Sequence, residues 1–154
     1  QARDAYTNAL RGDSSNKDAL FGYAQTSYFM DDVKNAKSAF QRILDKDPEN
    51  PQANAYLGKL AAEEENYFKA TKYIQTAIKN DPTNYDYYLD LGNYQRYQGN
   101  FDAAIKAWEK ATELDPTYFL AYTYLAGSYD EQNMFDKALE NSNKLSSILK
   151  PAKR

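Results

Sequence analysis

The amino-acid sequence predicts an all-α protein, an α-solenoid of stacked antiparallel helix pairs. Three observations lead to this prediction. An Asp-Pro pair recurs every 34 residues, other residues recur in register with it, and the apolar residues inside each period follow helical spacing. The 154-residue chain has only five Pro and six Gly, so long irregular segments are not expected.

The Asp-Pro pairs mark the ends of the periods. They are Asp47-Pro48, Asp81-Pro82 and Asp115-Pro116. Because Pro has no backbone N–H and disfavours helical geometry in the residue before it, each pair should end one helix and turn the chain. Self-similarity at a fixed interval of this length is typical of stacked repeats.

Several further columns of residues recur at the same interval. One column is entirely Ala and consists of Ala36, Ala70, Ala104 and Ala138. The column that opens the second helix of each period consists of Val33, Tyr67, Phe101 and Phe135, and a large residue followed by a small one recurs as Tyr23-Ala24, Leu57-Gly58, Leu91-Gly92 and Leu125-Ala126. The last column is apolar until its final member and consists of Phe40, Ile74, Trp108 and Ser142. Agreement in so many columns is not expected by chance.

The third period shows how the columns become a helix pair. Two helical stripes are separated by Gly99-Asn100; they contain Tyr88, Leu91, Gly92 and Gln95, then Phe101, Ala104, Ile105, Trp108, Ala111 and Thr112. We expect Gly92 and Ala104 to let the helix backbones approach, while Phe101 and Trp108 fill the space beside them. Since Gly inside a helix costs about 1 kcal/mol relative to Ala, Gly58 and Gly92 should have a packing role.

This pattern resembles the tetratricopeptide repeat, whose 34-residue frame combines Leu-Gly, Tyr, Ala, an aromatic residue and Pro. The resemblance covers nearly the whole chain. It implies the second helix of a truncated repeat at 1–16, repeats at 17–50, 51–84 and 85–118, and an atypical capping repeat at 119–152. It also implies helices at about 1–11, 17–30, 32–46, 51–64, 67–80, 85–98, 101–114, 119–132 and 135–149 in a right-handed superhelix, with the first helix of each repeat lining the concave face.

Members of this family bind peptides or proteins mostly along the concave groove, which implies a non-enzymatic interaction scaffold or adaptor. The groove residues implied by repeat position are Phe21, Gln25, Tyr28, Asn50, Lys59, Asn84, Leu89, Asn93, Arg96, Tyr118 and Thr123, with Asp18, Gln52 and Asp86 at further positions of the same kind. Such a mixture suits an extended peptide or a helix held by apolar anchors. For Phe21, Tyr28 and Phe29, a stripe of aromatic residues at helical spacing more often packs against a neighbouring helix, so packing is the favoured alternative to binding.

One subgroup of the family clamps the C-terminal carboxylate of chaperone tails with Lys, Asn and Arg. Here Phe21 and Gln25 stand where Lys and Asn are needed, and Asp86 and Asp90 stand where Lys and Arg are needed. Two carboxylates would repel the ligand's carboxylate. We therefore do not expect chaperone-tail binding.

The composition argues against several other functions. The chain has no Cys and no His, which removes thiolate metal sites, cysteine nucleophiles and the usual proton-transfer side chain. A net charge of −3 gives no nucleic-acid footprint. The runs Asp31-Asp32 and Glu63-Glu64-Glu65 have no accompanying base, nucleophile or phosphate loop, so we interpret them as helix caps rather than catalytic carboxylates. No cofactor, metal or membrane insertion is expected, and both cytoplasm and bacterial periplasm remain open.

Self-association is the alternative function. The chain starts without Met and its first residues resemble the middle of a helix, which suggests a piece of a longer protein or a mature chain. If the first helix lacks its partner helix, a stripe including Tyr6 and Leu10 should be exposed. An exposed end of a repeat array can pair with another copy or with an upstream repeat.

Overall fold

The computed structural model describes residues 1–150 of the 154-residue chain. These residues form α-helices at the predicted places, within one residue at every end, and contain no strand. The helices are α1 (Ala2–Gly12), α2 (Lys17–Phe29), α3 (Val33–Lys46), α4 (Pro51–Glu63), α5 (Tyr67–Asn80), α6 (Tyr85–Tyr97), α7 (Phe101–Leu114), α8 (Phe119–Glu131) and α9 (Phe135–Leu149). The predicted fold class is confirmed; positions 151 and 152 of the predicted fourth repeat lie outside the described residues.

The chain divides into two compact units, Gln1–Asn80 and Asp81–Arg154. In the first unit α2 packs on α3 and α4 packs on α5, with α1 against α2; in the second unit α6 packs on α7 and α8 packs on α9. The first core is built around Leu20, Phe40 and Leu57, and the second around Trp108 and Leu125. Within residues 1–150 none of the helices has the length and apolar character needed to cross a bilayer.

The turn inside each helix pair places one residue in the left-handed region. Asp31, Glu65, Gly99 and Asn133 have φ of 58°, 57°, 80° and 59° and lie in register with one another. The residue after each of them donates its backbone N–H to a carbonyl five residues back, as in Asn66 to Ala61 at 2.9 Å and Asn100 to Gln95 at 2.9 Å. These bonds use carbonyls that the end of the helix leaves without partners, which is the Schellman arrangement.

The turn between helix pairs explains why Asp precedes Pro. The Asp115 carboxylate accepts hydrogen bonds from both the backbone N–H of Thr117 (2.9 Å) and its hydroxyl (2.7 Å), and Asp81 accepts from Thr83 in the same way. The hydroxyl bond, followed by the backbone bond, lowers the pKa of Asp115. The Asp therefore fixes a local turn while Pro prevents the helix from continuing.

The packing role expected for two glycines is confirmed. A Cβ on Gly92 would lie 2.3 Å from Nε1 of the fully buried Trp108, and a Cβ on Gly58 would lie 3.3 Å from the carbonyl oxygen of Ala70. Contacts below 3.0 Å are essentially never seen for a real Cβ, so the indole occupies the space that a side chain at position 92 would need. The close approach of α6 to α7 depends on this glycine.

Two packing expectations are wrong. Phe101 does not fill the space beside Trp108; its side chain is 48% exposed. A helical side chain covers the turn before its own Cα, and Phe101 is the first residue of α7, so no helical turn lies beneath its ring. Tyr6 and Leu10 are half-buried rather than exposed, because the Tyr6 ring lies against Gly22 and Leu10 packs on the first core.

Candidate functional site

Five aromatic side chains of α2, α3 and α4 form a cluster in the first unit, called here the aromatic cluster: Phe21, Tyr28, Phe29, Phe40 and Tyr56. Phe40 is fully buried at its base, and the Tyr56 ring stacks on it with centroids 4.7 Å apart and planes at 8°. Phe21, Tyr28 and Phe29 each meet Tyr56 edge-on, at 6.3, 5.1 and 6.4 Å. Phe29 is 74% exposed, so the cluster runs from the core to the surface.

Hydrogen bonds orient the rings of this cluster. Gln25 Nε2 donates to the Tyr56 hydroxyl at 3.0 Å, and the Tyr28 hydroxyl donates to Glu63 Oε1 at 3.2 Å. Three residues predicted for the groove, Phe21, Gln25 and Tyr28, therefore converge on Tyr56. The packing alternative and the binding alternative each describe part of the set, since Phe21 packs inward while Phe29 faces solvent.

Sequence reasoning missed Tyr56. Its register column contains Gly22, Asp90 and Tyr124, which share no property, so the repeat pattern gave no signal. The structure shows which pattern would have indicated Tyr56. The Tyr124 ring stacks on the Trp108 ring with centroids 5.3 Å apart and planes at 15°, and these two residues have the same separation in sequence as Tyr56 and Phe40. An aromatic residue in the second helix and another at this offset in the next helix would have predicted the pair.

A pocket of about 330 Å³ opens beside the N-terminal ends of α2 and α4, and is called here the α2–α4 pocket. Its apolar wall is made by Leu20, Phe21 and Ile43. Its polar residues carry both signs of charge; they are Ser15, Lys17, Asp18, Lys46, Asp47, Asn50 and Gln52. The pocket thus joins Phe21 and Asn50 of the predicted set with their neighbours Asp18 and Gln52.

Two of the predicted groove residues, Asn50 and Lys59, belong to α4 or to its N-terminal cap. Asn50 is the N-cap of α4, and its Oδ1 accepts from the Ala53 backbone N–H at 2.9 Å. That bond satisfies one of the N–H groups left free at a helix start, so Asn50 has a structural role as well as a place in the pocket wall. Lys59 lies half-buried on α4.

In the second unit Tyr118 and Arg96 bond to other side chains. The Tyr118 hydroxyl donates to Asp86 Oδ1 at 2.5 Å, and its ring lies 4.7 Å from that of Tyr85. Burial is the main cause that raises the pKa of Tyr118, and the hydrogen bond to Asp86 is the second cause. Arg96 Nη2 pairs with Glu131 Oε1 at 3.0 Å.

The remaining predicted residues of this unit serve its own structure. Asn84 caps α6 by accepting from the Asp86 N–H at 3.1 Å, and Thr123 donates to the Phe119 carbonyl at 3.0 Å. Asn93 Oδ1 accepts from Trp108 Nε1 at 3.2 Å.

Leu89 corrects the prediction for this unit. Its side chain is only 8% exposed and packs in the second core, so it offers almost no surface to a ligand and leaves the candidate set. Repeat position alone placed it on the groove side, but the second core buries it.

Asp32 and Glu64 of the acidic runs at the turns bond to other side chains of the fold. Asp32 caps α3 and its Oδ2 pairs with Arg3 at 2.6 Å; the Asn35 side-chain bond is the largest cause of its lowered pKa. Glu64 pairs with Lys37 at 2.7 Å, which lowers the pKa of Glu64. In the part of the chain that the structure describes, acidic residues form no group that could hold a metal ion.

Comparisons with known proteins agree with this architecture. A tetratricopeptide repeat model matches residues 1–60 and 30–92, and a TPR repeat model matches residues 92–133. A search of curated protein sequences finds no match.

Among solved structures, a crystal structure of MamA has a TM-score of 0.85 at 23% identity, covering 95% of this chain and 85% of that one. MamA from Desulfovibrio magneticus RS-1 has a TM-score of 0.84 at 18% identity, with 95% and 82% covered. YrrB, described as a TPR protein with an unusual peptide-binding site, has a TM-score of 0.77 at 26% identity, with 96% and 76% covered. The likeness to MamA shows a shared fold, and the family matches take in more than half of the sequence. The chain belongs to the tetratricopeptide repeat family.

Proposed function

We propose that the chain is a non-enzymatic scaffold and that the α2–α4 surface of its first unit binds a peptide segment of a partner protein. The observation that carries the proposal is the aromatic cluster, in which Phe21, Tyr28 and Phe29 converge on Tyr56 while Phe29 stays 74% exposed. Rings held in fixed orientation lose little conformational freedom on binding, so they favour peptide contact.

The spacing along α2 suits an extended peptide. Phe21 lines the pocket and Phe29 lies at the other end of the same helix. Eight residues of α-helix span about 12 Å, the length of roughly four residues in an extended chain. One peptide side chain in the α2–α4 pocket and another against Phe29 would therefore be about four residues apart.

The chemistry of the pocket indicates the kind of side chain it accepts. Leu20, Phe21 and Ile43 offer apolar contact, while the charged residues around them carry both signs. A strongly charged side chain would meet repulsion from part of this rim. We infer that the pocket holds an aliphatic or aromatic anchor, with backbone amides of the peptide near the polar rim.

The predicted groove residues of the second unit give weaker support for peptide binding than those of the first unit. Asn84, Asn93, Tyr118 and Thr123 already bond within the unit. The exposed Arg96–Glu131 pair can exchange partners at little cost, since surface ion pairs contribute about 0–1 kcal/mol. The peptide-binding site named for YrrB supports a peptide as ligand in a protein of this fold.

The test is peptide selection followed by measured affinity. Peptides from a random-sequence display library are selected on the chain, and fluorescence anisotropy gives their Kd. Phe29→Ser should weaken binding about tenfold, because burying a Phe side chain contributes roughly 1.5–3 kcal/mol.

The matched control is Phe68→Ser, which removes a ring of similar exposure, 66%, from α5, outside the aromatic cluster and the pocket. It should leave the Kd unchanged. Peptides that bind Phe29→Ser as tightly as the wild type would place binding on another surface and end the proposal.

Self-association is a second candidate, favoured by α9. Phe135, Leu139 and Leu149 lie on one stripe of this helix and are all mostly exposed, whereas Ile105, in register with Leu139 on α7, is buried. Light scattering across a range of concentrations should then show association that Leu139→Ser weakens. A monomer at every concentration would remove this candidate.

A further inference from the structure

The first unit contains a second pocket, formed by α1, α2 and α3 and called here the α1–α3 pocket. Its volume is about 290 Å³, and it shares no residue with the α2–α4 pocket. Leu10, Tyr23 and Ala39 supply its apolar part. Its polar residues are Thr7, Arg11, Asn35, Ser38 and Arg42.

The charge of this pocket is of one sign. Two guanidinium groups, Arg11 and Arg42, line it and no carboxylate does. Asp13, the acid nearest in sequence to its wall, accepts hydrogen bonds from the backbone N–H and the hydroxyl of Ser15. Asp32 accepts hydrogen bonds from Arg3 and Asn35. The two positive charges beside this pocket repel each other. The chain as a whole has a net charge of −3, so the pocket is a locally positive site on an acidic protein.

The two arginines keep donors available for a ligand. Arg11 makes no hydrogen bond or ion pair within residues 1–150, and Arg42 gives only one bond, from Nη2 to the Ser14 carbonyl at 3.2 Å. Each guanidinium has five N–H donors in a planar fork that matches an oxyanion. The Ser38 hydroxyl lines the same depression and can donate a further bond.

We propose that the α1–α3 pocket binds a phosphate monoester carried on an apolar group. A phosphate monoester has a charge of about −1.5 to −2 near neutral pH and three acceptor oxygens, which balances two guanidinium charges; a carboxylate balances one. The Tyr23 and Leu10 surfaces receive the carrier group. A phosphotyrosine side chain of a peptide uses both parts of the pocket, its ring on the apolar residues and its phosphate between the arginines.

The test is an NMR titration of the ¹⁵N-labelled chain with phenyl phosphate, which has the ring and the phosphate alone. Backbone amides of Thr7 and Ser38 should shift in a saturable way. Arg11→Ala and Arg42→Ala should each weaken binding about tenfold, because each removes charge-assisted hydrogen bonds. Lys34→Ala removes an exposed positive charge from α3 outside the pocket and should leave the Kd unchanged.

Further arms separate the sources of the ligand. Inorganic phosphate should bind more weakly than phenyl phosphate, and a phosphotyrosine peptide more tightly than its unphosphorylated form. Arg42→Lys keeps the charge but loses the planar fork, so it should bind between the wild type and Arg42→Ala; circular dichroism checks that each variant folds. Shifts confined to other surfaces, or equal Kd values for the wild type and both Arg→Ala variants, would overturn the proposal.

Discussion

At the scale of single residues, the packing of the second unit depends on one missing side chain. Gly92 lies where the indole of Trp108 crosses α6, and that indole is fully buried, stacks on Tyr124 and donates to Asn93. The ring therefore has contacts on several sides and cannot move away. A glycine that costs helix stability in isolation stabilises the helix pair here.

We predict that Gly92→Ala destabilises the chain by about 1–3 kcal/mol, although Ala is the better helix former, because the added methyl group overlaps the indole. Urea unfolding followed by circular dichroism measures the change. Gly127→Ala is the matched control: Gly127 lies inside α8 with nothing within 4 Å of its missing Cβ, so its replacement should stabilise by up to about 1 kcal/mol. The same sign for both variants would contradict the packing explanation.

The packing of the helices explains part of the high tyrosine content of the chain, which has 15 Tyr. Tyr56 stacks in the first core and bonds to Gln25 at its hydroxyl, and Tyr129 is buried with its hydroxyl on Glu109 at 2.6 Å. In both cases the ring is packed and the hydroxyl has a partner, as expected for a part-apolar side chain. The excess of Tyr therefore reflects helix interfaces as well as the exposed surface.

At the scale of elements, the four turns inside the helix pairs share one backbone geometry with four different residues. Only Gly99 adopts a positive φ without steric cost; Asp31 and Asn133 tolerate it better than most residues, and Glu65 does not. The turn is therefore imposed by the helices it joins and by the Schellman bonds rather than by the local sequence.

We predict that Glu65→Gly stabilises the chain by up to about 1 kcal/mol, because glycine removes the strain of the left-handed conformation at φ 57°. The larger conformational entropy of glycine in the unfolded chain offsets part of this stabilisation. Gly99→Ala, at the equivalent position, should destabilise it by about 1–2 kcal/mol. Both changes are read from urea unfolding. Destabilisation by Glu65→Gly would show that its left-handed conformation carries no strain.

At the scale of the whole molecule, stability should fall in alkali. Burial raises the pKa of Tyr118 and Tyr129, with hydrogen bonds to Asp86 and Glu109 as the second cause. A group whose pKa is higher in the folded chain contributes stability that is complete below its unfolded pKa, about 10 for Tyr, and that is lost as pH rises above it.

We predict that the free energy of unfolding decreases as pH rises from about 9 to about 11, and that the double variant Tyr118→Phe/Tyr129→Phe loses less over this range because it has no phenol to ionise at those positions. Denaturant unfolding at a series of pH values gives the slope. Equal slopes for the wild type and the double variant would assign the alkaline loss to other groups.

The sequence by itself determined the repeat, the helices and the fold class. This was possible because repeat packing is local: the two helices of each pair meet through the same small and large residues, so Ala36, Ala70, Ala104 and Asp-Pro recur where the geometry recurs. Gly92 was predictable for the same reason. The candidate surface was predictable only as a set of positions, of which Phe21, Gln25 and Tyr28 do lie together.

Tertiary structure alone decided which side chains face solvent and which charges meet. Leu89 and Phe101 exchanged their expected environments, since burial depends on what covers a helix face and not on the face itself. The Tyr56 stack on Phe40 and the pocket lined by both Arg11 and Arg42 bring together residues of different helices that follow no common spacing. Such contacts are properties of three-dimensional proximity, which the repeat period does not encode.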